Sequence, residues 1–486
     1  MTMQTLRDVA KAVKSANAGA SWLTLDIVMR DADSYQQLVD AEVITPKLVS
    51  ELFQVGVEDV QLFECPQILT LKLTLPRQGS GGAEETDFDG VQYFVPLLDV
   101  AVPQGKSSQA SNGGPINDES IGSLQQWLHV ARPVKGWNSV VTPDAVRHFA
   151  QGIGDDNPMW WDEAYARTGP PGRHTAPPTF LYSCSNGSGG SDNSSRMHPA
   201  ESWLPGSQSV WLSDRWEFFR PTYVGEPVFA AEELVDVSER ESSRYGRMVT
   251  VVDRTMYRGA DGDIIAQCDK TMLRRRRIPS PPSDIPVRTL EAEDVVAITN
   301  HYLSEAVDTR RGRTPRTIRD VSVGDRLPVL LKGPLTITNI VGWMLGWGSP
   351  MASTNRMLSN YLHSRPGAAI THPAGLWPDT IEATHWDRDL APVAGFSQPY
   401  DFGAQRISWA AHLLTDWCGD SGFVRELDAR LRRPNVLGDV TSFTGVITDV
   451  DSSSLIVTCE VTATNQRDEI TLTATAKIQL PSGSDA

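Results

Sequence analysis

Three short stretches hold side chains that could move protons. Gly154 to Asp162 reads Gly-Asp-Asp-Asn-Pro-Met-Trp-Trp-Asp, with carboxylates at Asp155, Asp156 and Asp162 and an amide at Asn157. His385-Trp386-Asp387 supplies an imidazole, and Asp379 and Glu382 place two carboxylates shortly before it. A carboxylate and an imidazole with separated pKa values can serve one substrate as general acid and general base. The same residue types have plainer uses. Asp155 and Asn157 cap turns and helix starts well, and His385 could be an ordinary hydrogen-bonded histidine. Trp160 has no proton to exchange at neutral pH and suits filling pocket volume. His363, His372, His385 and Asp379 have ligand chemistry, but their spacing matches no tight motif, so no metal is expected. Ser183 to Gly190 is rich in Ser, Asn and Gly. It lacks the strand–GxxxxGK–helix context of a phosphate cradle and reads as a surface insertion.

The elements that must hold these groups are legible in outline. Residues Gln104 to Gly122 are small, polar and nearly free of bulky apolar side chains, the composition of a flexible linker. Before it, Leu6, Val9, Ala10 and Val13 predict a helix over Thr5 to Ser15. Trp22 to Met29 reads as a buried strand and Pro46 to Phe53 as a helix with Pro in its first turn. Val57 to Phe63, Ile68 to Leu75 and Val91 to Val100 read as strands. After the linker, two segments repeat one grammar of helix, polar stretch, second helix and long strands. In the first, Pro143 to Ile153 and Pro177 to Tyr182 are the helical stretches. Gln208 to Phe219, Pro227 to Glu239, Met248 to Tyr257 and Ile264 to Arg274 alternate apolar and polar residues as strands do. In the second, Leu335 to Trp347 and Arg406 to Trp417 are apolar-striped helices. Arg425 to Leu431, Val440 to Val450, Leu455 to Asn465 and Glu469 to Ile478 are the strands. Pro279 to Pro282 divides the two, and Ser349 to Asp387 is a long irregular loop of the kind that often carries function.

Composition narrows the function classes. The 486 residues carry 44 basic and 60 acidic side chains, a formal charge of −16, which argues against nucleic acid as a partner. Arg274 to Arg277 is the one dense basic run and reads as a solvated strand end, with phosphate contact the sharper alternative. Five scattered cysteines, with no CxxC pair, suit a reducing compartment better than a disulfide framework. The first residues lack the apolar core of a signal peptide, and no apolar run approaches the roughly 20 residues of a membrane span. A cytoplasmic protein with no membrane contact is the expectation.

The region after the linker resembles the MaoC-like hydratases and dehydratases, hotdog proteins whose best-known members are (R)-specific enoyl-CoA hydratases. Their pattern is G-D-x-N-P-x-H, then x-D, then a glycine-bearing stretch that begins a helix. Gly154, Asp155, Asn157, Pro158 and Asp162 match in order, with Trp160 at the histidine's place. Ala176-Pro177-Pro178-Thr179-Phe180, Trp211 to Pro221 and Val224-Gly225-Glu226 are similar to the dehydratase domain of the fungal fatty-acid-synthase type. The second segment resembles the family's C-terminal hotdog through Val323-Gly324-Asp325, Lys332 to Thr336, His385-Trp386-Asp387, Ala391, Gly395, Tyr400-Asp401-Phe402-Gly403 and Val436 to Asp439. It lacks G-D-x-N-P before His385. Residues 1–103 resemble a small α+β domain of unknown function that accompanies proteins of acyclic terpene utilisation, through Asn17 to Gly19, Leu25 to Ile27, Pro76-Arg77, Thr86-Asp87, Gly90 and Gln92. Asn17, Asp26, Arg77 and Asp87 are its polar positions to test.

The resemblance implies an α+β chain. A small α+β domain (1–103) and the linker (104–122) would precede a double hotdog, with halves at 123–280 and 285–486 and each antiparallel sheet wrapped on a long central helix. It implies a hydro-lyase that hydrates an enoyl thioester or dehydrates a 3-hydroxyacyl thioester on coenzyme A or a carrier protein, with no cofactor. His385 would be the main acid/base and Asp379 or Glu382 its carboxylate partner. Asp155 and Asn157 remain from the first-half motif. Gly403, Tyr400, Trp160 and Pro178 would line the substrate, with an oxyanion donor in the backbone near Gly403. Cooperation of Asp155 with His385 across the halves is a further option. A non-catalytic acyl-binding or scaffolding protein and a hotdog thioesterase are the rival readings. Residues 1–103 could serve a homo-oligomer or a partner protein.

Overall fold

The computed structural model describes residues 3–18, 21–29, 32–41, 43–77, 93–103, 116–185, 204, 207–276, 285, 289–364, 369–375 and 378–483. Two compact units divide the chain, Met1–Gly113 and Gly114–Ala486.

In the first unit, β1 (Ala10–Asn17), β2 (Trp22–Met29), β3 (Gln61–Cys65) and β4 (Thr70–Pro76) form an antiparallel sheet in the order β1-β2-β4-β3. Leu23, Leu25 and Ile27 alternate with less buried neighbours along β2, and Leu71, Leu73 and Leu75 do so along β4. This two-residue period puts one face of the sheet into the core. The helix expected over Thr5 to Ser15 is corrected: only Leu6–Val9 is helical and β1 begins at Ala10. Val13 and Ser15 are buried and Lys14 between them is exposed, the alternation of a strand. The strand expected over Val91 to Val100 is also corrected, because Val95–Asp99 is a 3-10 turn with Pro96 in its first positions. Val57–Asp59 forms another such turn, so that strand starts only at Gln61.

The second unit is built on one ten-stranded antiparallel sheet. Its first half comprises β5 (Arg132–Val134), β6 (Ser207–Phe218), β7 (Phe229–Ser242), β8 (Gly246–Arg258) and β9 (Ile264–Arg276). The second comprises β10 (Arg326–Lys332), β11 (Phe423–Leu431), β12 (Thr441–Asp451), β13 (Ile456–Asn465) and β14 (Ile470–Gln479). The order is β10-β12-β13-β14-β11-β6-β9-β8-β7-β5, so each half presents the same strand sequence outward from the centre. The halves join where β11 pairs β6, from Glu426 opposite Glu217 to Arg430 opposite Ser213. The two sheets of the double hotdog are therefore continuous.

Helices α1 (Ala32–Asp40) and α2 (Pro46–Phe53) belong to the first unit and α4 (Ala292–Asp308) to the second, where three further helices complete the frame. In the first half, α3 (Pro143–Ile153) is capped by the Thr142 side chain, and in the second, α5 (Ile337–Trp347) is capped by Thr336. They pack together at close range: a Cβ on Gly346 would fall 2.6 Å from the Phe149 Cα, and one on Gly152 would fall 2.7 Å from the Gly342 carbonyl oxygen. The central helix α6 (Gly403–Cys418) is buried along nearly its whole length against the second-half sheet. Its first-half counterpart is, among the described residues, a 3-10 turn at Pro178–Leu181 that runs into a helical turn at Tyr182–Ser185. Ser183 is therefore buried structure rather than the start of a surface insertion, and 186–190 lie outside the described residues. Of the expected linker, 104–115 lies outside the described residues, while Asp118–Gln125 is a helix with an Asn117–Ser120 capping box. The Pro279–Pro282 divider and Asp87 also lie outside them.

Candidate active site

His385 closes a 3-10 turn, Ile381–His385, that leads toward the start of α6. Its ring stacks on Phe402 with centroids 3.8 Å apart and planes 16° apart, and it lies 4.1 Å from the Tyr400 ring. Phe402 is the residue before the first turn of α6, and no side chain caps that helix end. The imidazole thus packs on the residue that precedes the helix, whose first N–H groups have no partner within the helix itself. Nδ1 lies 2.9 Å from the Tyr400 carbonyl oxygen. A carbonyl can only accept, so Nδ1 carries the proton and Nε2 the lone pair. Burial pushes the His385 pKa down to about 4 against the opposing pull of the Tyr400 and Asp401 backbone, so the ring is neutral at pH 7.

Glu382 lies in the same turn and is buried, with Ser349 Oγ donating to its Oε2 at 2.7 Å. Burial raises its pKa to about 7, against the lowering effect of Ser349. Tyr400 shares a hydrogen bond with the Thr384 hydroxyl at 3.1 Å, and burial lifts its phenol to about 12. Gly403 opens α6, and a Cβ there would fall 2.5 Å from the Leu431 Cδ1. Asp401 fixes the approach to the helix by pairing with Arg406 and accepting 2.7 Å from the Asn435 amide. Asp379 takes a different position: it lines a cleft of about 720 Å³ with Met351, Asn355, Leu358 and Trp386. Its carboxylate accepts the Thr380 N–H at 2.7 Å.

Asp155 belongs to a second, separate cluster. Gly154 ends α3 with φ of 64°, a left-handed conformation suited to glycine, and turns the chain inward. The buried Asp155 carboxylate accepts the Asn157 N–H at 3.0 Å and the Trp160 indole N–H at 2.8 Å. Asn157 in turn caps Met159 at 3.0 Å. An indole N–H only donates, so Trp160 holds the carboxylate without taking a proton from it. Asp155 does not meet His385. Its histidine is His412 on α6, whose Nε2 lies 3.4 Å from Asp155 and 3.2 Å from Asp416. Lys332 Nζ bridges the His412 Nδ1 at 2.8 Å and the Gly154 carbonyl at 2.9 Å, and burial lowers its pKa. Pro178 starts its 3-10 turn away from either cluster's hydrogen bonds.

His412, Lys332, Ser349 and Thr384 were not singled out by sequence. The signal available for His412 was a histidine and an aspartate one turn apart in an apolar-striped helix. Among the described residues, His372 and His385 do not gather with Asp379 into a metal-binding set. His372 instead accepts the Ala374 N–H at 3.1 Å and faces Asp387 at 3.4 Å. Among the positions of the first unit, Asn17 accepts from Arg77 at 2.6 Å, and Asp26 pairs with Lys72 at 2.9 Å.

Residues 129–268 match the family profile described as the FAS1-like dehydratase domain region, and residues 6–101 match a domain of unknown function, DUF4387. A probable enoyl-CoA hydratase alpha subunit from Thermomonospora curvata is 25% identical over 200 residues. That match spans 39% of this chain and 62% of the relative. A solved MaoC-like dehydratase is 20% identical with a TM-score of 0.51, covering 74% of this chain and 99% of its own. A second, from Phytophthora capsici, is 12% identical with a TM-score of 0.45, covering 75% and 99%.

Proposed function

We propose that this double hotdog, with its FAS1-like dehydratase region, is a hydro-lyase acting on an enoyl or 3-hydroxyacyl thioester, and that its second half does the chemistry. The observation that carries this reading is the neutral imidazole of His385 stacked at the uncapped start of α6. A proton acceptor packed at a helix N-terminus supports the reading, because a hydration needs a base and donors for the thioester oxygen at one point.

In the hydration direction, His385 Nε2 takes a proton from water as the water oxygen bonds to the β-carbon. The π-electron pair moves toward the thioester oxygen, where the first N–H groups of α6 stabilise the developing charge. Glu382, which carries a proton near neutral pH, delivers it to the α-carbon. The proton on His385 then returns to Glu382 through solvent. Dehydration is the reverse. Tyr400 and Thr384 form a wall of this site, and Asp379 is assigned to the neighbouring cleft rather than to proton transfer. Asp155 and Asn157 are assigned to holding the first-half turn.

Turnover of crotonyl-CoA and of a panel of branched or carboxylated enoyl-CoAs tests the assignment. His385→Ala is expected to lower kcat at least ~100-fold, the scale of one general acid–base group. Unchanged turnover in that variant would overturn it. The absence of Gly-Asp-x-Asn-Pro before His385 favours a second reading, an acyl-thioester-binding protein without turnover. It predicts that acyl-CoA binds and no enoyl substrate is consumed. The relative's designation as an alpha subunit motivates a check for a partner protein, by the mass of the purified species in solution. Among the described residues no helix is long and apolar enough to cross a membrane.

A further inference from the structure

The Asp155 cluster is more than a tether. Asp155, His412 and Asp416 are each at most 2% exposed and come from both halves of the second unit. One atom from each converges on a common point, within 4.8 Å of one another. We propose that these three side chains form a divalent-cation site between the halves, suited to zinc.

Four observations carry it. First, the spacing fits. Zinc–nitrogen and zinc–oxygen bonds of 2.0–2.2 Å set neighbouring ligands of a tetrahedron about 3.3–3.6 Å apart. The His412 Nε2 stands 3.4 Å from the Asp155 Oδ1 and 3.2 Å from the Asp416 Oδ2. Second, neither His412 Nε2 nor Asp416 Oδ2 has a hydrogen-bond partner outside this cluster, although both are fully buried. Buried polar atoms without partners are costly unless something else satisfies them.

Third, the atoms facing away from the common point are held, as outer partners hold metal ligands in place. Trp160 donates to the Asp155 Oδ2 at 2.8 Å, and Arg310 reaches the Asp416 Oδ1 at 3.3 Å. Lys332 fixes the His412 Nδ1 at 2.8 Å, as an ammonium donor or as an amine accepting Nδ1–H. The second arrangement leaves the Nε2 lone pair for a metal. Fourth, the charge has the right sign. Asp155, Asp416, Asp156 and Glu305 bring four carboxylates against Arg310 and Lys332, so carboxylates are in excess whether Lys332 is an ammonium or an amine. Two carboxylates and an imidazole are a donor set that zinc accepts.

The site is independent of His385, so its test is too. The full chain, stripped with a chelator and titrated with cobalt(II), should bind one ion per chain. It should show the strong visible absorption of four-coordinate cobalt, which zinc abolishes. Elemental analysis after reloading should find one zinc. His412→Gln and Asp416→Asn, checked for folding by circular dichroism, should each bind less than about a tenth as much. His385→Ala should bind as the parent does. If either ligand variant fails to fold, Asp155→Asn takes its place. No stoichiometric uptake by the parent chain, or full uptake by the ligand variants, overturns the site. In that case His412 links the two carboxylates without a metal ion.

Discussion

Glu382 and His385 share one five-residue turn, yet burial moves them in opposite senses. The Glu382 carboxyl rises to about 7 and the His385 imidazole falls to about 4. Both shifts favour the uncharged form, because removal from water penalises charge. The catalytic consequence is a window. Hydration needs His385 neutral, which fails below about pH 4, and Glu382 protonated, which fails above about pH 7. Glu382→Gln should remove the alkaline limb of the kcat profile and lower its plateau about 10²–10⁴-fold. The stability effect has its own sign. The folded pKa of Glu382 lies above its ordinary value of about 4.3. Its contribution is therefore complete below that value and is lost as pH rises through about 7. Chemical denaturation from pH 4 to 8 should show that slope in the parent and a flatter one in Glu382→Gln. A parent curve that rises over this interval contradicts the assignment. His385 was legible because its H-x-D spacing survives in the sequence. His412 was not: its partners Asp155 and Lys332 lie 257 and 80 positions away, and no local spacing encodes them.

At the scale of elements, periodicity worked where one face is buried and failed where the segment is short. The long strands and α5 and α6 were readable because two-residue and helical periods run over ten or more residues. Leu6, Val9, Ala10 and Val13 suggested a helix because their spacing fits both a helix and a turn of helix followed by a strand. Pro96 similarly converts an apolar run into a 3-10 turn. Invisible in sequence was the crossing of α3 and α5, which depends on missing side chains. Gly346 faces backbone of the partner helix, so Gly346→Ala must push the helices apart. By contrast, a Cβ on Gly342 would meet only the Gly152 Cα, at an ordinary 3.9 Å. Gly346→Ala should therefore cost about 1–3 kcal/mol, the range for overpacking. Gly342→Ala should be neutral or slightly stabilising, since alanine is the better helix former. Urea denaturation of the two variants checks the contrast, and equal losses would contradict the close crossing.

For the whole molecule, the question is which parts stand alone. One hydrophobic cluster draws on both halves of the second unit: Phe149, Phe180 and Trp216 from the first meet Trp343, Ile407 and Leu427 from the second. The sheet runs through the same boundary at the β6–β11 pairing. Cutting there would expose an apolar face and two unpaired strand edges, so neither half should fold by itself. The first unit differs, because its core is a separate cluster around Leu23, Leu25, Leu71 and Leu73. A chain of residues 114–486 alone should therefore unfold in one cooperative transition and keep the turnover of the full protein. Separately expressed 114–280 and 285–486 should each be inactive and prone to aggregate. Co-expression should restore a complex, because the β6–β11 edge and the shared core give the halves one way to meet. Activity lost with residues 1–113 would instead place a functional contribution in the first unit.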